Sequence, residues 1–181
     1  MRTTVLSSGL LVILFLLTAW LGFYVSEQAV EAVKEKNITE DLTRLAGRNS
    51  GFPTDLTNKK LVINLWASWC QPCIAEIPEL NRIVRNSSDS TIQFIAVSTD
   101  FERKAEDFLE QKELEFAYHR VYESKSEQMG IFHYLQNLNT ETAQHVLPLH
   151  ILVNRDGSLY QVLRGSSDAN VRVIEEFVRG G

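Results

Sequence analysis

Residues 61–78 read LVINLWASWCQPCIAEIP, and the reading of this stretch decides the fold. Residues 61–67 are apolar at alternate and intervening positions, as in a strand covered on both faces. The segment from Cys73 to Val84 places Cys73, Ile77, Leu80 and Val84 on one face of a helix. Between them, Cys70-Gln71-Pro72-Cys73 follows the strand and opens the helix. A thiol at a helix N-terminus meets unpaired backbone N–H groups and the positive end of the macrodipole, and both favour the thiolate. The spacing brings Cys73 one turn on, within reach of a mixed disulfide at Cys70. Pro72 suits the first turn, where its missing N–H costs nothing. Such a pair serves redox exchange, a structural staple, half a metal site or an inert remnant. A loop this short contributes only about 2 kcal/mol as a staple. A metal reading needs further ligands, which His145 and His150 offer, although much of the chain separates them from the cysteines.

Working outward, strand and helix patterns alternate. Residues 92–97 form a second buried strand. Ser98, Thr99 and Asp100 are candidate N-caps for a helix with Phe101, Ala105, Phe108 and Leu109 as its apolar stripe. Residues 116–122 read as a third strand and 127–135 as a helix. A hairpin follows, with strands at 146–153 and 159–163 around Asn154-Arg155-Asp156-Gly157. Residues 168–178 form the last helix, burying Val171, Ile174 and Phe177. The order describes an α/β domain with a central mixed sheet flanked by helices.

Upstream, residues 5–25 (VLSSGLLVILFLLTAWLGFYV) carry no charge. A helix of that length crosses a hydrocarbon core of about 30 Å. Trp20 and Tyr24 stand at its end, and no small-residue cleavage site follows, so an uncleaved signal anchor is expected. Residues 27–46 read as a polar, partly amphipathic helix with Val30, Val33, Ile38, Leu42 and Leu45 at helical intervals; 47–58 read as a linker. The expected domains are an anchor at 1–25, a juxtamembrane helix and linker at 26–55, and the α/β domain at 56–181. The 181 residues leave little room for a second full domain. A net charge of −5 excludes a general nucleic-acid binder, which needs a clustered basic surface. Two cysteines cannot build a disulfide framework.

The segment Trp66-Ala67-Ser68-Trp69-Cys70-Gln71-Pro72-Cys73 resembles the active-site segment of thioredoxin-like proteins. Its continuation through Glu76 and Pro78 is similar to the membrane-tethered TlpA/ResA type of thiol–disulfide oxidoreductase. The resemblance covers roughly residues 56–178. It implies a thioredoxin-like fold preceded by one transmembrane helix, with the domain on the extracytoplasmic, periplasmic side. It also implies that Cys70 attacks, that Cys73 resolves, and that no cofactor or metal is needed beyond the dithiol. Pro148 stands where the family places a cis-proline, so Leu147 and Pro148 are expected to support the site and dock the partner with Trp69, Gln71 and Pro72. Asn64 occupies the position of the buried aspartate of thioredoxin, and Glu76 is expected to replace it as acceptor of the Cys73 proton. The implied partners are protein disulfides and a membrane electron donor of the thiol-reductase type, with apocytochromes among possible clients.

Leu149 and His150 depart from the family pattern, which has hydroxyl residues after the proline. Asn154 replaces the turn's usual aspartate, and 136–144 form a polar insertion. His150 reads as a satisfied or partly buried side chain on the face of Pro148. A different class of function is a copper carrier, with the metal held by Cys70, Cys73 and either His145 or His150. A third is an assembly module without redox activity.

Overall fold

The computed structural model describes residues 13–21, 24, 36–46, 51–122, 129–138 and 146–180. The chain divides into two compact units, Met1–Glu35 and Lys36–Gly181. In the first unit, residues 13–21 are helical with exposed Ile13, Phe15, Leu17 and Trp20. Among the described residues no helix is long and apolar enough to cross a membrane. Residues 5–12, 22–23 and 25 of the expected 5–25 span lie outside the described residues.

The second unit is built on five strands: β1 (Lys60–Trp66), β2 (Ile92–Ser98), β3 (His119–Tyr122), β4 (Leu149–Val153) and β5 (Leu159–Arg164). Their order across the sheet is β3-β2-β1-β4-β5. Strands β1, β2 and β3 run parallel, while β4 and β5 are antiparallel. Parallel neighbours need crossover connections, supplied here by α2 (Gln71–Asn86) and α3 (Glu102–Gln111). The remaining helices are α1 (Ile38–Ala46), α4 (Met129–Asn137) and α5 (Asp168–Arg179). Every residue of β1 is buried, as its apolar run demanded. Val62 and Trp66 join one cluster with Ile77, Leu80 and Ile83 of α2, Leu152 of β4, and Ile174 and Phe177 of α5. Alternation sends Leu61, Ile63 and Leu65, also fully buried, to the opposite face.

The mixed sheet flanked by helices agrees with the sequence, and the differences have local causes. Strand β4 begins at Leu149 rather than 146, because Pro148 precedes it and proline has no N–H for a ladder; the Leu147-Pro148 bond is cis. Strand β3 is limited to the four residues in register with Ile95–Ser98, although Phe116 and Tyr118 ahead of it are buried. Helix α3 starts after Phe101, which makes no side-chain cap bond. Asp100 does not cap it, since its carboxylate is bound elsewhere. Helix α2 runs through Pro78, whose ring is exposed. In α1, Ile38 and Leu42 are fully buried, so this turn-spaced pair belongs to the core of the compact unit. Asn37 starts it by accepting from the Glu40 N–H at 2.9 Å. The Ile38 N–H donates to the Gly157 carbonyl at 2.7 Å. Gly157 adopts φ +86°, and a Cβ there would lie 2.1 Å from Asn37 Oδ1, so only glycine fits this approach.

Candidate active site

Central strand β1 ends at Trp66, and four residues later Cys70 is the N-cap of α2. Its backbone is extended (φ −86°, ψ 94°), and its sulfur accepts from the Cys73 N–H at 3.3 Å. A sulfur so placed receives one of the helix's orphan donors and the field of its N-terminus. Cys70 and Cys73 are joined as a disulfide. Both are buried, whereas Trp69, Gln71 and Pro72 around them are exposed, Trp69 by 64%. The register pairing Leu65 with Leu149 sets Leu147-Pro148 just beyond β4, at the end of β1 where the chain passes towards Cys70. The partly buried Leu147 packs on the cluster that contains both cysteines, and Pro148 is buried.

The loop carrying Trp69 is pinned from behind. Ser68 N–H donates to Asp100 Oδ2, and Lys104 donates to Asp100 Oδ1 at 2.7 Å. Burial pushes the Asp100 carboxyl up, but the Lys104 and Ser68 hydrogen bonds outweigh it and hold the group below the usual carboxylate range. In the sequence Asp100 reads as one of three candidate caps; its contact with Ser68, 32 positions away, has no local signal.

Behind Cys73 lies a second polar group. Glu76, one turn further along α2, is 5% exposed; Asn64 and His150 are each 1% exposed. Asn64 Nδ2 lies 3.2 Å from both Glu76 Oε1 and His150 Nδ1. His150 Nε2 is 3.4 Å from the same Glu76 oxygen but makes no hydrogen bond. Tyr118, also without a hydrogen-bond partner for its hydroxyl, is pushed above the ordinary tyrosine range by burial and then by the charge of Glu76. Glu76 is thus a buried carboxyl group one turn from Cys73 on the same helical face.

The copper set does not assemble among the described residues. No group of three or more His, Cys, Asp or Glu side chains is placed there to hold a metal ion. His150 faces Asn64 and Glu76 instead, and His145 lies outside the described residues. His119 and His133 are exposed.

A mixed five-stranded sheet, a CXXC pair capping the helix after its central strand, and a cis-proline at the facing loop define a thioredoxin-like thiol–disulfide oxidoreductase. The model described as the AhpC/TSA family matches residues 41–162, well over half the chain, and the chain belongs to that family. It is similar to the thiol-disulfide oxidoreductase ResA of Bacillus thuringiensis subsp. konkukian (strain 97-27), with 23% identity over 164 residues, 90% of this chain and 85% of the relative. Its fold is similar to the thioredoxin domain of a thiol-disulfide oxidoreductase from Bacteroides vulgatus (TM-score 0.55, 22% identity, 69% of this chain and 83% of that one). StoA from Bacillus subtilis is also similar (TM-score 0.52, 20% identity, 68% of this chain and 84% of that one). The resemblance read from residues 66–78 is thereby borne out.

Proposed function

We propose that the chain reduces disulfides in partner proteins on the extracytoplasmic side of a membrane, tethered there by residues 5–25. The observation that carries the exchange chemistry is the position of Cys70 as the cap of α2, bonded to Cys73 and flanked by exposed Trp69. In the reduced enzyme the Cys70 thiolate attacks one sulfur of a partner disulfide, and the other partner sulfur leaves with the electron pair. Cys73 gives its proton to Glu76 and attacks Cys70 Sγ. The bond to the partner breaks, the second partner sulfur leaves, and Cys70 and Cys73 end as the disulfide. Two electrons have then moved from the dithiol to the partner. A membrane protein of the thiol-reductase type restores the dithiol, and no further cofactor takes part. The Leu147-Pro148 loop, with Trp69, Gln71 and Pro72, docks the partner. Apocytochromes awaiting haem are one client class this reading proposes.

Trapping tests this reading. With the full chain in its native membrane, Cys73→Ser accumulates mixed disulfides through Cys70, and adding Cys70→Ser abolishes them. Failure of Cys73→Ser to trap any partner, with the protein folded, contradicts exchange through this pair.

A further inference from the structure

The buried group behind Cys73 contains more than the proton acceptor. Antiparallel pairing of β1 with β4 sets His150 directly opposite Asn64, so the two side chains share a face of the sheet. Helix α2 lowers Glu76 onto the same spot. A carboxylate only accepts hydrogen bonds, so the Asn64 amide must present its nitrogen to Glu76 Oε1. The second N–H of that amide faces His150 Nδ1, 3.2 Å away, which must therefore accept. The proton of the neutral ring then resides on Nε2. That atom is buried, has no hydrogen-bond partner, and lies 3.4 Å from Glu76 Oε1. The titratable groups that face this spot are Glu76 and Cys73 from α2, His150 from β4, and Tyr118 from the segment before β3, which feels the charge of Glu76. Among the described residues, no lysine or arginine is within ion-pair distance of Glu76.

We propose that His150 is a positioning residue for the resolving step: its Nε2–H, fixed by Asn64, holds Glu76 as the carboxylate that receives the Cys73 proton. This rests on the exchange reading above. The Cys73 S–H bond breaks and its proton goes to the free oxygen of Glu76. The Cys73 sulfur bonds to Cys70 Sγ, and the bond from Cys70 to the partner sulfur breaks, its electron pair leaving on the partner. His150 transfers no proton or electron. At 3.4 Å the contact is electrostatic, and it is strongest while Glu76 carries its charge, before the proton arrives.

A single-turnover reaction of the reduced full chain with dithiobisnitrobenzoate separates the two chemical steps. Attack by Cys70 releases one coloured thiolate, and resolution by Cys73 releases the second. Loss of that contact weakens the hold on the Glu76 carboxylate. His150→Leu is expected to leave the first release unchanged, slow the second about tenfold at neutral pH, and move the pH profile of the second release upward. His150→Gln, which retains an amide donor, recovers part of the loss. Profiles of the second release that stay within about 0.3 pH unit of the parent in both variants overturn the proposal. The tautomer in the unmutated chain gives an independent check that needs no variant to fold. Ring 15N shifts of a neutral Nε2–H imidazole support the proposal, and an Nδ1–H tautomer overturns it. Absence of the second release in the unmutated chain defeats the exchange reading itself, a result distinct from an unshifted profile.

Discussion

Two buried carboxylates flank the cysteine pair, and the protein treats them oppositely. Asp100 is bound at both oxygens: it accepts from the Ser68 N–H and from Lys104, and these bonds hold its carboxyl below the usual range against burial. Among the described residues Glu76 accepts only from the Asn64 amide, with His150 Nε2 at 3.4 Å and outside hydrogen-bond geometry. A carboxylate bound at both oxygens works as an anchor for the loop bearing Trp69. One with an oxygen left unbound, as at Glu76, is open to the proton-accepting role proposed above. On that proposal the same residue class gives rigidity on one side of the disulfide and chemistry on the other.

Substitutions at the two sites separate these roles. Glu76→Gln preserves shape and hydrogen bonding to Asn64 but removes the proton acceptor. The release that follows attack by Cys73 is expected to slow about 10²- to 10⁴-fold in stopped-flow measurements, with the first release unchanged. Asp100→Ala is expected to cost about 1.5–3 kcal/mol in urea unfolding, because it orphans the buried Ser68 N–H and the partner of Lys104. Its resolving rate at neutral pH should change by less than about threefold, since Asp100 accepts no proton in the mechanism. If Asp100→Ala slowed resolution as much as Glu76→Gln, the division of labour between the two carboxylates would be wrong.

The pH dependence sharpens the same contrast. The folded-state value for Asp100 lies below its ordinary 3.8, so its contribution is fully present above that value. It is lost as pH falls through the lower folded value. Urea unfolding of the parent and Asp100→Ala should therefore converge only in strong acid and keep their full separation at neutral pH. A smaller effect is expected far from the site. Gly157→Ala forces a side chain into a positive-φ turn against Asn37, and should cost about 1 kcal/mol or somewhat more without altering either release.

Much of the fold was legible because it is local. The doubly apolar run at 61–67, the 3.6-residue stripes and the Asp156-Gly157 turn each carry their own period or punctuation. The CXXC pair was legible for the same reason, being read from adjacent residues, whereas Pro148 was placed through the family resemblance. Glu76 could be nominated from its spacing to Cys73 on one helix. Its environment could not, because His150 reaches it only through the register between β1 and β4, joining positions 64 and 150. The capping propensity read at Asp100 lost to a tertiary hydrogen bond with Ser68, which no local window contains. Helix α1 read as a polar appendage because half its residues are charged or hydroxylic; the burial of Ile38 and Leu42 shows that its apolar pair decided its place.

The reduction potential of the Cys70–Cys73 pair, measured by equilibration of the full chain with glutathione or dithiothreitol mixtures, tests the central claim most directly. A reductase of partner disulfides is expected to lie in the reducing range, at about −230 mV or below. A value near about −120 mV, typical of a strong oxidant, would contradict the proposed direction of electron flow.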